Sequence, residues 1–379
     1  MYLHVPFCFH KCHYCDFYSF VDTRDQQPAF TNRIVRELGS LAPYADETLD
    51  TIFVGGGTPT LLRPDLWARL LEALNNAYGI TDRTEFTVEC NPETVTEELF
   101  AVLAAGGVNR LSIGAQSFSK THLKTLERWH DPDNVPRAIE HAHRAGIDRV
   151  SIDLIFAIPG QTLDDWLSDL DTAVRLGTEH LSCYALTYEP STAMTVRMER
   201  GDFDPCDEDT ETDMFIETRR FLEARGLHPY EVSSFAKPSA ECRHNLAYWR
   251  QEPWLAAGPS ASGHFAGVRW KNVPRLGDYL DFDDEGFAPV TDVEIPDPRR
   301  ALSERLMTGL RLREGLATPE ILRAAATIEP GLDDALLAWA NAASTQGSLN
   351  IREGRWTLSD AGLLIADRVC ADAMLTVDP

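Results

Sequence analysis

The chain has 379 residues, more than one ordinary domain holds, so two or three domains or a β/α barrel with additions are expected. With 44% hydrophobic and 25% charged residues it has the composition of a folded globular protein, which excludes collagen-like, low-complexity and largely disordered chains. A net charge of −24 argues against the nucleic-acid backbone as main partner, since phosphate binding needs clustered Lys and Arg, and no apolar run approaches the roughly 20 residues of a membrane span.

In chain order, β-branched runs predict strands at 2–5, 51–54, 85–90, 110–114, 149–156 and 180–186. Amphipathic helices lie between them. One spans 64–78, where Leu66, Leu70, Leu71 and Leu74 share a face and Gly79 supplies the stop; another spans 135–145 and stops at Gly146. Six strand-helix units with nearly continuous apolar strands predict a parallel sheet covered on both faces. The fold class is therefore α/β, a partial (β/α)6 barrel over residues 1–190 with its site at the C-terminal ends of the strands.

Residues 191–298 read as an extension of that barrel. An acidic stretch at 189–213, taken as a solvated face, leads into a helix at 207–225. A β-like piece at 229–235, an aromatic and glycine-rich segment at 248–270 and an acidic linker at 278–298 complete it. Residues 299–379 follow the order of a winged-helix-like α+β domain: helices at 301–313, 319–326 and 332–343, strands at 349–352 and 355–358 joined through Glu353 and Gly354, then a helix from Ser359. Nine arginines and no lysine against eleven acids leave this unit without the basic footprint DNA requires, which favours a structural or docking role.

Three of the eight cysteines, Cys8, Cys12 and Cys15, sit together in the loop after the first strand; Cys90, Cys183, Cys206, Cys242 and Cys370 are scattered. That is no disulfide framework, and with nothing resembling a secretory signal it points to a reducing cytoplasm and to metal chemistry. Three thiolates on a [4Fe-4S] cluster leave one iron open to a small chelating molecule. Zinc is the competing reading, with His4, His10 or His13 as fourth ligand. The second strand runs into Gly55-Gly56-Gly57-Thr58-Pro59, a backbone that a ligand can approach closely and that offers it amide groups. Glu89 ends the third strand, Gln116 ends the fourth, and Arg128 lies one helix later. Asp153 interrupts the apolar fifth strand, a costly placement that implies a functional site or a partner such as Arg128.

The CxxxCxxC loop followed by this glycine tract resembles the radical SAM superfamily. The tract from Tyr2-Leu-His-Val-Pro-Phe-Cys8 to Asp16-Phe17-Tyr18, with Ile152-Asp153-Leu154-Ile155 and Pro159-Gly-Gln-Thr162, resembles the oxygen-independent coproporphyrinogen III oxidase group within it. The resemblance implies a [4Fe-4S] cluster on Cys8, Cys12 and Cys15. It also implies S-adenosyl-L-methionine (SAM) held by Tyr2, Tyr14, Gly56, Gly57, Thr58, Glu89, Gln116, Arg128, Asp153 and Ala185.

Two functions compete inside that group. The oxidase pattern carries a further cysteine two places after the triad and a longer N-terminal segment; here Phe17 holds that place and seven residues precede Cys8. In these departures, and in His244-Asn245-Leu246-Ala247-Tyr248-Trp249, which matches an HNxxYW motif, the chain resembles the HemW family of heme chaperones. That implies heme bound through His244, with His228, His264 and Cys242 as further candidate ligands. It implies delivery of the heme to heme-accepting proteins, respiratory enzymes among them, without coproporphyrinogen oxidase activity. Cytoplasmic location, no direct membrane span, no nucleic-acid partner and compatibility with a homodimer complete the expectation. The alternative is a coproporphyrinogen III oxidase of porphyrin metabolism that acts through a 5'-deoxyadenosyl radical.

Overall fold

The computed structural model describes residues 1–46, 48–282 and 285–378. Strand β1 (Tyr2–Val5) runs directly into the cysteine loop, whose two ends are joined by a short parallel pair, β2 (Phe7–Cys8) and β3 (Phe20–Val21). Then come β4 (Thr51–Gly56), β5 (Glu85–Cys90), β6 (Arg110–Gln116), β7 (Arg149–Phe156) and β8 (His180–Ala185). Each pairs in parallel with its predecessor, so β1-β4-β5-β6-β7-β8 is an uninterrupted six-strand parallel sheet.

The crossover helices are α1 (Gln27–Leu41), α2 (Pro64–Ala77), α3 (Glu97–Ala105), α4 (Lys120–Thr125), α5 (Asn134–Ala145) and α6 (Leu163–Arg175). Their apolar stripes, including Ile34, Leu70, Phe100 and Trp166, are fully buried in one core with the strands. Thr162 and Asp165 form a reciprocal capping box at the start of α6, worth about 1 kcal/mol. Gly146 closes α5 at φ 89°, as its place in the sequence requires, whereas α2 ends before Gly79 because Tyr78 already turns extended.

The period of two along each strand divides the sheet into two faces. Leu111 and Ile113 of β6 are buried in the core, while Arg110 and Ser112 line an interior lumen; Thr87 and Glu89 of β5 do the same. The chain beyond β8 extends this partial barrel at both edges. It runs through α7 (Ala193–Glu199), α8 (Glu208–Glu223), β9 (His228–Pro229), β10 (Ser234–Ala236), α9 (Arg243–Trp249) and β11 (Ala256–Ala257). Strand β10 adds antiparallel to β8, with β9 outside it, and β11 adds parallel to the free side of β1.

Two parts of the extension differ from the sequence expectation. The acidic stretch at 189–213 contains α7, whose Met194 is buried and donates its backbone N–H to His13 O at 2.9 Å, so part of it packs against the cysteine loop. The stretch at 278–298 is not a plain linker: it begins in α10 (Leu276–Asp281) and contains β14 (Val290–Glu294), which completes an antiparallel sheet with β12 (Ser262–Phe265) and β13 (Val268–Asn272). Asp283 and Asp284, also in that stretch, lie outside the described residues.

The C-terminal part runs α11 (Pro298–Gly309), β15 (Leu316–Ala317), α12 (Thr318–Ile328), α13 (Leu332–Thr345), β16 (Leu349–Arg352), β17 (Arg355–Leu358), α14 (Asp360–Leu364) and α15 (Ala366–Val377), the element order of a winged helix. It has its own core around Leu306, Leu336 and the fully buried Trp356. Among the described residues no helix is long and apolar enough to cross a membrane.

Candidate cofactor site in the barrel

The cysteine loop lies over the C-terminal end of the sheet and is held there from both sides. Thr58 directs its hydroxyl at Cys8 Sγ (3.6 Å), and Arg128 directs Nη1 at Cys12 Sγ (3.7 Å). Burial pushes the Cys15 thiol up to about 11; Lys11 opposes the rise, and Cys12 and Cys8 add to it, so the three sulfurs share one local field. A thiol so raised gives up its proton when a cation compensates the thiolate. Among the described residues no three His, Cys, Asp or Glu side chains are grouped so as to hold a single metal ion. Of the histidines in the zinc reading, His4 is fully engaged, whereas His10 Nε2 has no partner among the described residues. His4 has both ring nitrogens engaged, Nδ1 with Tyr2 OH (3.0 Å) and Nε2 with Tyr18 O (2.8 Å); His13 Nδ1 meets Arg197, and His10 stacks on Trp129 at 4.0 Å.

The glycine tract does something the sequence does not disclose. Its amides bind this chain: Gly56 N–H donates to Glu89 Oε2 (3.0 Å), Gly57 N–H to Val5 O (2.8 Å) and Thr58 N–H to Phe7 O (2.7 Å). A Cβ at Gly55 would lie 2.8 Å from the Glu89 carboxylate, at Gly56 2.5 Å from the His4 ring, and at Gly57 2.6 Å from Phe7 O. The three glycines are therefore the space into which the cysteine loop and Glu89 fit, which corrects the expectation that their amides stand free for a ligand.

The remaining candidates form the wall below. Arg128 spans from Cys12 to the Gly114 carbonyl of β6, which its Nη2 reaches at 2.9 Å. Gln116 follows a register irregularity in β6 and sits at φ 62°, a left-handed conformation that a non-glycine residue adopts only when its surroundings impose it. Tyr14, half-buried, packs against a satellite cluster that includes Leu126 and Ile155, and Ala185 ends β8 in register with Phe156. Asp153 is not paired with Arg128: it accepts from Ser112 Oγ (2.8 Å) and Ser151 Oγ (3.5 Å). Burial raises the Asp153 carboxyl and pushes Glu89 up to about 7, with Asp153 adding to the Glu89 rise and the Gly56 amide opposing it. Two carboxyl groups face one space where neither ionises freely.

That space is a lumen of about 580 Å³, large enough for a cofactor-sized molecule. Tyr2, Glu89 and Asp153 line it toward the cysteines, and Phe17, 62% exposed, lines its mouth. At the far end the HNxxYW segment forms its floor. Helix α9 lies under the strand starts, where His244 N–H and Cys242 Sγ both reach Glu85 Oε1 at 3.1 and 3.6 Å. Thr51 to Gly56 along β4 separates His244 from the cysteine end by roughly 16 Å.

His244 is 2% exposed and lines the lumen. Its Nδ1 is hydrogen-bonded to Thr51 Oγ1 (2.8 Å), and its ring stacks on Phe53 (5.3 Å) and meets the Tyr248 ring edge-on (4.6 Å). Burial holds it neutral, and Nε2 has no hydrogen-bond partner among the described residues. The other candidate ligands are placed differently. His228 is exposed on the outer strand β9, His264 packs on Trp254 at 5.1 Å, and Cys242 donates to Glu85 with its thiol pushed up to about 11, chiefly by burial. The sequence reading passes over Arg110 and His180, which also line the lumen. The alternation Arg110-Leu111-Ser112-Ile113 would have placed the first of them there.

A family model described as the radical SAM superfamily matches residues 2–173. The chain is 34% identical to heme chaperone HemW of Mycobacterium tuberculosis (strain H37Rv) over 373 residues, 97% of this chain and 93% of that one. It is 35% identical to heme chaperone HemW of Bacillus subtilis over 318 residues, 83% and 84% of the two chains. In fold it is similar to coproporphyrinogen III oxidase (HemN) from Escherichia coli, with a TM-score of 0.84 over 98% of this chain and 89% of that one at 24% identity.

Proposed function

Because the chain belongs to the HemW family within the radical SAM superfamily, we propose that it is a heme chaperone: it takes heme into the barrel and passes it to heme-accepting proteins, respiratory enzymes among them, without acting as a coproporphyrinogen oxidase. One observation carries the reading. On the floor of the lumen, the histidine of the HNxxYW motif is a neutral imidazole with Nδ1 fixed by Thr51 and Nε2 unpartnered. A buried nitrogen without a partner is costly, and a heme iron is a partner it suits. The Thr51 hydroxyl plays the outer-shell part: it holds the ring orientation and, by accepting from Nδ1–H, would leave the Nε2 lone pair for iron. Phe53 and Tyr248 supply ring surface for a porphyrin.

At the other end, Cys8, Cys12 and Cys15 would hold a [4Fe-4S] cluster on three different irons, a wider ligand set than one metal ion takes. Thr58 and Arg128 already brace two of the sulfurs. With SAM on its open iron the cluster supplies one-electron chemistry. The chain's own groups would orient SAM: Glu89 and Asp153 toward its hydroxyls and cationic centre, Gln116 and Arg128 at its edge, and Tyr2, Tyr14, Gly56, Gly57, Thr58 and Ala185 around it. Cofactor and cargo then sit at opposite ends of one lumen, which suits control of cargo release.

The test is an anaerobic hemin titration followed at the heme absorption band. Wild type saturates near one heme per chain; His244→Ala, with its fold checked by circular dichroism, loses affinity at least tenfold. Absence of saturable binding in wild type overturns the reading and makes coproporphyrinogen III turnover the next assay. Equal affinity in the variant removes His244 as ligand.

A further inference from the structure

The lumen floor carries a second group that the account so far leaves unused. Arg110 opens β6 in register with Arg149 of β7 and, with Ser112, points inward. It is 2% exposed. Nη1 donates to Ala240 O at 3.1 Å, which fixes the plane of the guanidinium. Among the described residues no carboxylate lies within ion-pairing distance of it, whereas Arg149 beside it is paired with Glu85 at 3.1 Å.

A buried guanidinium without an ion-pair partner is an expensive arrangement. Asp153 answers it in part: against the rise that burial imposes, its serine hydrogen bonds and then the Arg110 charge lower its carboxyl, although the two form no ion pair. Glu85 is taken by Arg149, Cys242 and the His244 amide, and Asp153 by Ser112 and Ser151. The charge of Arg110 reaches the groups around it: after burial it is the next cause that keeps His180 neutral. Most of the guanidinium's planar set of N–H donors is still available on the lumen floor.

We propose that Arg110 is a carboxylate seat, and that the cargo enters the barrel with a carboxylate seated on it. This rests on the heme-cargo reading above, under which the carboxylate is a propionate of the tetrapyrrole. Guanidinium and carboxylate match in shape and form two parallel charge-assisted hydrogen bonds, which also fixes orientation. The floor then offers a tetrapyrrole two fixtures of different chemistry, an imidazole for the iron and a guanidinium for its rim. A porphyrin without free carboxylates meets only the first.

The experiment compares hemin with hemin dimethyl ester on anaerobically reconstituted protein, in wild type, Arg110→Gln, Arg110→Lys and His244→Ala. Wild type is expected to bind hemin roughly 10- to 100-fold more tightly than the ester, the range for a hydrogen-bonded charge pair. Arg110→Gln binds both alike, Arg110→Lys keeps part of the preference, and His244→Ala weakens both ligands while keeping the ratio. Equal affinity of wild type for hemin and ester overturns the seat, and so does a preference that survives Arg110→Gln. If Arg110→Gln does not fold, the wild-type ratio alone decides. Failure of wild type to bind hemin at all overturns the cargo reading and the seat with it, whereas hemin binding without ester discrimination overturns the seat alone.

Discussion

Glu89 should make the barrel less stable as the pH rises. Its ordinary carboxyl value of 4.5 is pushed up to about 7 in the folded chain, mainly by burial and then by Asp153. Below pH 4.5 the group is protonated in both states and costs nothing. Between 4.5 and 7 the unfolded chain releases the proton while the folded chain retains it, so the unfolded state gains. The destabilisation is complete above about pH 7, and a gap of that width corresponds to about 3 kcal/mol. Glu89→Gln keeps an acceptor for the Gly56 amide and removes the ionisation. In denaturant unfolding of the apoprotein the variant should match wild type near pH 4.5 and exceed it by about 3 kcal/mol at pH 8. The gain comes with a functional loss: SAM affinity falls about tenfold without the charged acceptor, and in wild type it climbs roughly tenfold from pH 6 to pH 8 as Glu89 ionises. A stability difference that is flat with pH, or wild type gaining on the variant as pH rises, would refute the reasoning.

Other perturbations follow from the same geometry. Gly57→Ala places a methyl group 2.6 Å from Phe7 O, where backbone must shift, so it should lower the melting temperature by an overpacking cost of about 1–3 kcal/mol and reduce iron bound per chain. Thr51→Val removes the hydroxyl that orients His244; hemin affinity should fall about tenfold in the anaerobic titration while iron content stays unchanged. Trp356→Ala empties the centre of the C-terminal core and should cost about 3–5 kcal/mol in the unfolding of that part, seen by near-ultraviolet circular dichroism, with the hemin titration of the folded protein unaltered.

The barrel was legible because six strands alternate with amphipathic helices; the expectation of burial on both sheet faces held for the helix-covered face, while the other face carries the polar residues of the lumen. The cysteine loop was legible because three thiols within eight residues have few structural uses. The role of the glycines was only half legible. A run of glycines announces close approach, but that the approaching groups are Glu89, His4 and the cysteine loop depends on strand neighbours far away in sequence. Strand β14 was hidden for a different reason: all five of its residues are exposed, so it shows no alternation and its acids read as linker. The HNxxYW motif announced a histidine beside aromatic rings, yet nothing local says that α9 closes the barrel from below; that follows from Thr51 and Glu85, which begin strands well over a hundred residues earlier. Of the two readings of Asp153, the alternative of a pair with Arg128 does not hold, and its serine partners were not legible because serines on adjacent strands look ordinary until register brings them together.

The account's central claim is that heme held in this barrel is cargo. The most direct measurement loads the cluster-containing protein with one heme, adds SAM, and mixes it anaerobically with the apo form of a b-type respiratory cytochrome while the spectrum of the acceptor is recorded. The account predicts that the acceptor's bands grow in at the expense of the donor's, and that the reaction requires wild-type His244. Heme that stays on the donor, together with equimolar 5'-deoxyadenosine when coproporphyrinogen III is supplied instead, would contradict it and make the protein an enzyme of porphyrin oxidation.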